Sequence, residues 1–200
     1  TKSLPSSLVN RYHRWRDTGF KEKRTRYEKL AKEGQHPKTM IISCCDARIN
    51  VTSIFGADIG DFFIHRNIGN LVPPYNPNGD HHGTSAALEY AVKILKVSSI
   101  IIMGHSKCGG ISSGYHLCKN KIHLNNMIFV NKWLNILNPA YKKVINNNEN
   151  LLSDEELIKK LETESVKTSI DNLINFPFIK KLINKNELAL HGIWYDIGSG

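Results

Sequence analysis

The sequence predicts one α/β domain in which a mostly parallel central β-sheet is flanked by helices and preceded by an N-terminal helical arm. Its 200 residues, 40% hydrophobic and 22% charged, suit a single domain with a sizeable core. Several short apolar runs have strand length but no alternation, as strands buried on both faces do. Segments with helical spacing lie between these runs, and that alternation favours a parallel sheet.

The arm is a polar and basic segment that we predict to form one or two amphipathic helices. Its apolar residues recur at helical spacing, at Leu8, Tyr12 and Trp15. A continuous apolar run then begins. We therefore expect an arm of residues 1–37 followed by an α/β catalytic domain of residues 38–200.

The catalytic domain is predicted to alternate strands and helices. The predicted strands cover residues 38–43, 61–66, 99–103 and 188–197. The predicted helices cover residues 84–95, 157–174 and 178–183. A capping box at Ser153–Glu156 marks the start of the long helix, because a serine followed three residues later by a glutamate satisfies two free backbone donors. The Asn-rich segment 120–150 is expected to hold helix and loop.

The charge distribution argues against a nucleic-acid partner. The chain carries 27 Lys and Arg against 18 Asp and Glu, a net charge of +9. Residues 1–38 account for most of it, with eleven basic and four acidic residues, whereas residues 39–118 have five of each. The basic charge therefore belongs to the arm, where it suits a solvated helix or a contact with a partner subunit.

The apolar runs, the first residues and the cysteine spacing together favour a cytoplasmic protein. No apolar run approaches the roughly 18–20 residues of a membrane span, and the first residues lack a signal-peptide pattern. The four cysteines do not have the spacing of a disulfide framework, which indicates reduced thiols. We expect Cys45 and Cys118 to be small buried side chains.

Two groups of chemically reactive residues follow the first and third predicted strands. Cys44, Asp46 and Arg48 come after the first strand, and His105 and Cys108 come at the turn after the third. In open α/β sheets, ligands bind at the carboxyl ends of strands. If the chain stayed extended after the first strand, alternation would place the Cys, Asp and Arg of the first group on one side.

Taken together, Cys44, His105 and Cys108 predict a metal site. Two thiolates and one imidazole suit zinc best among the common metals. Three protein ligands leave one position open, as catalytic zinc sites do, whereas structural sites are closed by four ligands. We therefore expect one zinc ion per subunit.

These motifs carry a family resemblance. Cys44-x-Asp46-x-Arg48 and His105-x-x-Cys108 resemble the paired signature of the β-class carbonic anhydrases, zinc enzymes that interconvert carbon dioxide and bicarbonate. The similarity continues through residues 60–70, 83–90 and 190–196. The resemblance implies a carbonate dehydratase, a lyase in which Cys44, His105 and Cys108 bind zinc and Asp46 with Arg48 forms the catalytic dyad.

Two roles remain open for Asp46. It could accept a hydrogen bond from a zinc-bound hydroxide, or it could itself become the fourth zinc ligand in a closed state. Arg48 would hold the carboxylate away from the metal in the first case, since a guanidinium binds a carboxylate through two hydrogen bonds. The plainer alternative is an ordinary surface ion pair.

The resemblance also implies a substrate pocket and a partner. Gln35 occupies the position of a substrate-binding glutamine, and Phe63, Ile68 and Tyr90 match the apolar pocket walls, although each of the three could be plain core. Ile41 stands where allosteric members have tryptophan, which favours the plant-like, non-allosteric type. The family implies a homodimer or higher homo-oligomer, with the pocket completed by both subunits and the arm lying on the partner.

Two other functions remain possible at this stage. Relatives on the same scaffold hydrolyse carbon disulfide or carbonyl sulfide, and the metal motifs do not separate these substrates. A basic nucleic-acid-binding module with structural zinc is a more remote alternative. It would need a fourth protein ligand and a surface of clustered basic and aromatic residues, and the chain offers neither beside the zinc motifs.

Overall fold

The core of the molecule is a parallel β-sheet. The computed structural model describes residues 2–80, 82–120, 126–147 and 152–200. The strands in this part of the chain are β1 Thr39–Cys44, β2 Phe62–Asn67, β3 Ser99–His105 and β4 Ala189–Tyr195. They pair in the order β2-β1-β3-β4, and every pairing is parallel. The predicted fold class is confirmed, and each predicted strand lies within two residues of the observed one.

Helices flank the sheet. They are α1 Ser6–Trp15, α2 Arg24–Glu33, α3 Val51–Ile54, α4 His82–Glu89, α5 Gly109–Asn120, α6 Ile128–Leu134, α7 Asn138–Asn146, α8 Asp154–Ile174 and α9 Pro177–Asn184. The capping box at Ser153 and Glu156 is present at the start of α8. In the Asn-rich segment 120–150, helix and loop are observed as predicted, while residues 121–125 and 148–150 lie outside the described part of the chain.

Strand β1 explains the unalternated apolar runs of the sequence. Met40 and Ile42 face one core cluster, in which they pack with Leu88. Ile41 points to the opposite cluster and packs with Met103. Because both faces of the strand are covered, every position in the middle of it excludes water and selects an apolar residue.

The arm is attached to the domain through α2. Lys23 Nζ lies 2.7 Å from Asp58 Oδ1, and Arg26 Nη2 lies 2.7 Å from Asp61 Oδ1. Helix α1 buries no residue and leaves an apolar face exposed, which includes Leu8. The helical prediction for the arm is confirmed, and its treatment as a separate unit of residues 1–37 stays a prediction.

Three local expectations were wrong. The chain does not stay extended after β1, because the Ile49 N–H bonds to the Asp46 carbonyl at 3.0 Å and closes a turn. Cys45 is exposed rather than buried. Cys118 is only half-buried, and its thiol donates a hydrogen bond to Asn138 Oδ1 at 3.2 Å. A thiol that finds a polar partner does not need an apolar environment.

The described helices include none with both the length and the apolar composition that crossing a membrane requires.

Candidate metal centre

The three predicted ligands meet at the carboxyl edge of the sheet. Strands β1 and β3 are parallel neighbours, so Cys44 at the end of one and His105 at the end of the other emerge side by side. Cys108 returns to the same place from the turn before α5. One donor atom of each side chain lies within 4.8 Å of the others, and all three residues are buried. The structure therefore assembles this trio from segments about 60 residues apart.

The geometry of the trio fits a zinc ion. The Cys44 and Cys108 Sγ atoms are 3.9 Å apart. Two thiolates that bind the same tetrahedral zinc ion, each at about 2.3 Å, lie about 3.8 Å from each other. His105 Nδ1 donates to the Ser106 carbonyl at 2.9 Å, so the lone pair of the ring is on Nε2. That Nε2 atom is buried and has no hydrogen-bond partner among the described residues, which suits a metal ligand held by a backbone carbonyl.

The protonation of the two thiols is strongly linked. The hydrogen bond from Cys108 lowers the pKa of Cys44, outweighing the burial that would raise it. The same hydrogen bond, together with burial, raises the pKa of Cys108. Burial alone would lower the pKa of His105, but the interaction with Cys44 and the Ser106 carbonyl raises it. A metal ion bound by both sulfur atoms would displace the thiol protons, because thiolates are the form that binds metals.

Asp46 and Arg48 form a two-pronged ion pair beside the trio. Asp46 Oδ1 accepts hydrogen bonds from the Arg48 backbone N–H at 3.0 Å and from Nε at 2.9 Å. Asp46 Oδ2 accepts from Arg48 Nη2 at 2.6 Å. The Arg48 hydrogen bonds hold the pKa of Asp46 well below its usual range. The carboxylate is therefore ionised and held in one orientation, which distinguishes this pair from a mobile surface ion pair.

Arg48 also links the Asp46–Arg48 dyad to the turn at Lys107–Cys108, the metal-ligand turn. Its Nη2 donates to the Lys107 carbonyl at 2.9 Å. Lys107 has a left-handed backbone conformation, with φ of +54°. This is costly for a residue with a side chain, and such conformations persist only where the surroundings require them. One guanidinium thus holds both the Asp46 carboxylate and the turn that presents Cys108.

Two further residues at the site were missed by the sequence analysis. Arg66, near the end of β2, donates to the Cys44 carbonyl at 2.9 Å and to the Asp46 carbonyl at 2.8 Å, and so holds the backbone of the first motif. Glu162 on α8 accepts the Cys108 N–H at 3.1 Å. An arginine near a strand end carries no signal in a single sequence, but an acidic residue on the buried face of α8 does.

The predicted pocket residues do not all lie together in one chain. Ile68 lies beside the metal-ligand turn and packs against Gly110, where a Cβ atom would be only 2.8 Å from Ile68 Cγ2. Phe63 pairs in register with Met40, four residues before Cys44, so it lies about 13 Å back along the sheet.

Tyr90 and Gln35 are also separate from the metal-ligand trio. Tyr90 stacks on Phe63, with the ring centroids 5.8 Å apart and the planes at 24°, and it is 46% exposed. Gln35 is exposed on the loop between α2 and β1. Within a single chain, Ile68 therefore lies beside the trio, whereas Phe63 packs partly buried against the core, and Tyr90 and Gln35 are exposed to solvent.

Comparisons with known proteins agree on one family. The family model described as carbonic anhydrase matches residues 39–200. β-Carbonic anhydrase 3 of Arabidopsis thaliana is 34% identical over 186 residues, which are 93% of this chain and 70% of that protein. The solved structure of the β-carbonic anhydrase CcaA has 32% identity and a TM-score of 0.88, covering 96% of this chain and 90% of that one. A tetrameric β-carbonic anhydrase of Sordaria macrospora has 30% identity and a TM-score of 0.81, covering 96% and 92%.

Proposed function

Since the chain belongs to the β-class carbonic anhydrases, a family of zinc-dependent lyases, we propose that it catalyses the reversible hydration of carbon dioxide to bicarbonate and a proton. The observation that carries the proposal is the buried trio of Cys44, His105 and Cys108 with a bidentate aspartate–arginine pair beside it. Zinc, when bound, supplies a Lewis acid that makes water nucleophilic near neutral pH.

Cys44, His105 and Cys108 would hold one zinc ion per chain. Two thiolates and a neutral imidazole give a formally neutral centre, which acidifies water less than three imidazoles would. The site therefore needs an additional group that orients water, and Asp46, two residues after Cys44, offers an ionised carboxylate. Asp46 is ionised, and so an acceptor, throughout the physiological range, and Arg48 lowers its pKa further.

In this proposal, Asp46 accepts the hydrogen bond of the attacking water and so aims its free lone pair at carbon dioxide. Arg48 occupies both carboxylate oxygens and holds them where they are. Release of this pair would free Asp46 to become the fourth metal ligand in a closed state. Arg48 thus decides between an open and a closed site.

The working unit is proposed to be a homodimer or a higher homo-oligomer. Phe63 and Tyr90 form a stacked pair away from the trio of their own chain, and Gln35 is exposed. In the dimer these three would face the metal site of the partner subunit and add an apolar wall and a neutral hydrogen-bond donor to it. The exposed apolar face of α1 would lie on the partner, and the Sordaria relative is a tetramer.

We also propose that the protein works in the cytoplasm. The cysteines of the described chain are all free, and two of them are 3.9 Å apart at the metal site. Such a pair remains available to a metal where thiols are kept reduced. Fractionation of the source cells, with antibody detection, tests this point.

Stopped-flow carbon dioxide hydration combined with metal analysis tests the proposed activity. The protein should contain one zinc ion per chain and hydrate carbon dioxide far above background. Parallel assays with carbon disulfide and carbonyl sulfide test the alternative substrates. A zinc-loaded protein with no hydration above background, or with faster turnover of a sulfur substrate, would overturn the proposal.

A further inference from the structure

Glu162 is an acidic side chain buried behind the metal-ligand turn. The residue is 3% exposed and lies on α8, where Leu161 and Val166 are also buried. Burial raises the pKa of Glu162, and the hydrogen bond from the Cys108 N–H works against this shift. A buried carboxyl group is unfavourable unless it is well hydrogen-bonded, so its position needs a reason.

The close packing of α8 on the sheet brings Glu162 to the turn. A Cβ atom at Gly104 would lie 2.7 Å from Val166 Cγ2, and one at Gly192 would lie 2.8 Å from Val166 Cγ1. Any side chain at either glycine would push the helix away from β3 and β4. The two bare backbones therefore let the helix approach until Glu162 Oε1 reaches the Cys108 N–H at 3.1 Å.

A continuous set of hydrogen bonds then leads from α8 to the dyad. Glu162 holds the N–H of Cys108, and the preceding Lys107 has the left-handed conformation that turns its carbonyl towards Arg48. Arg48 in turn holds both oxygens of Asp46. Moving the turn would therefore displace a metal ligand and the anchor of the dyad at the same time.

We propose that Glu162 is a positioning residue that fixes the Lys107–Cys108 turn from behind, and thereby sets the place of Cys108 for the metal and of Arg48 for Asp46. It acts through the hydrogen bond and touches neither substrate nor metal. Its effect on turnover rests on the proposed function, whereas its effect on metal retention does not.

The test separates the reach of the side chain from its charge. Glu162→Asp keeps the charge but withdraws the carboxylate by one methylene, out of reach of the Cys108 N–H. Glu162→Gln keeps the reach and an acceptor oxygen but removes the charge. Glu164, two residues further along α8, pairs with Lys143 at 3.5 Å and Lys167 at 3.4 Å, and the same two substitutions there are the matched controls.

Zinc release from the loaded protein to a competing chelator should be about tenfold faster or more in E162D, the usual scale for loss of a hydrogen bond that orients a metal ligand. The kcat per bound zinc should fall by a similar factor, with KM nearly unchanged, because Glu162 does not contact substrate. E162Q should stay within about threefold of wild type. The Glu164 variants should stay within about twofold.

Three results would overturn the proposal. One is wild-type zinc release and kcat per zinc in E162D. Another is equal damage in E162D and E162Q, which would make charge the cause. The third is an E162D that does not fold while E162Q does, which would make the role structural. If wild-type protein hydrates no carbon dioxide, the proposed function fails, yet zinc release still decides the role of Glu162.

Discussion

In two regions of the molecule, an arginine binds both an aspartate and a backbone carbonyl. One is the metal edge, the carboxyl edge of the sheet where Cys44, His105 and Cys108 meet, and the other is the N-terminal arm. At the metal edge, Arg48 binds Asp46 through two donors and also the Lys107 carbonyl. On the arm, Arg26 reaches Asp61 through one donor at 2.7 Å and the Ile59 carbonyl at 2.9 Å. The residue types are the same, but their surroundings differ.

The difference lies in geometry and solvent access. The Asp46 side chain is 16% exposed and binds Arg48 through both its oxygens, whereas the Asp61 side chain is 43% exposed and binds Arg26 through one oxygen, its other oxygen accepting the Asp58 backbone N–H at 2.7 Å. Exposed pairs contribute little because water and salt screen them, while a bidentate pair with a largely buried carboxylate fixes an orientation even though its arginine, Arg48, is half exposed. The same pair of residues can therefore serve chemistry in one place and loose attachment in another.

The largest effect should come from removing a metal ligand. His105→Ala should lower zinc affinity by more than about 100-fold, beyond the range for indirect partners of a metal, and hydration should become undetectable. Zinc titration and stopped-flow assays measure both. Cys118→Ser, a thiol outside the trio, is the control and should behave as wild type. If H105A kept its zinc, His105 would not be a zinc ligand and the prediction would be wrong.

The next largest effect should come from Arg48. Arg48→Ala should keep its zinc but lose about 100-fold or more in hydration rate, since a misoriented carboxylate no longer directs the attacking water. The pKa of Asp46 should rise towards its ordinary value, which is still far below neutrality, so orientation and not ionisation is lost. Arg24→Ala, which breaks an exposed pair with Glu28 on α2, is the control. Near-normal turnover in R48A would show that the Asp46–Arg48 pair, like the pairs on the arm, does not serve catalysis.

A smaller effect is expected on the open face of the arm. Leu8→Asp should weaken the homodimer by about tenfold or more, because a charge would enter an apolar contact. Analytical ultracentrifugation across a dilution series measures this. Asn10→Asp adds the same charge at an exposed position of the same helix and should leave assembly unchanged. Equal dissociation in both variants would indicate net charge rather than the apolar face.

The smallest effect should come from the arm pairs. Arg26→Ala should lower Tm by no more than about 3 °C, as expected for an exposed pair in a domain of this size. Thermal unfolding of the purified protein measures this shift, and a much larger loss would show that the arm pair is not loosely held.

Acid should also loosen the arm. The hydrogen bond from Lys23 lowers the pKa of Asp58 in the folded protein, so its contribution is complete above the ordinary aspartate pKa of about 3.9 and is lost as pH falls through the lowered value. Hydrogen exchange in α2 at pH 6 and pH 3 measures this, and unchanged protection at pH 3 would contradict it.

The sequence allowed the trio to be predicted because Cys44 and His105 come at the ends of apolar runs, Cys108 follows three residues after His105, and parallel strands end at one edge. The family resemblance also pointed to Asp46 with Arg48, but a turn and not an extended chain brings them together. The sequence could mark Glu162 as an acidic residue on the buried face of α8, but it could not show the contact that this residue makes. That contact depends on how closely α8 packs against Gly104, a contact between segments more than 50 residues apart that no local pattern encodes.

The separation of Cys44 and Cys108 by 64 positions in the sequence gives the metal site a second consequence. In an unfolded chain these two thiols are rarely neighbours, because closing so long a loop costs entropy. In the folded protein, the pairing of β1 with β3 already brings the two thiols together without an ion. A bound ion would then act as a removable cross-link between the two central strands, so that zinc would add to the stability of the folded protein as its free concentration rises above its dissociation constant.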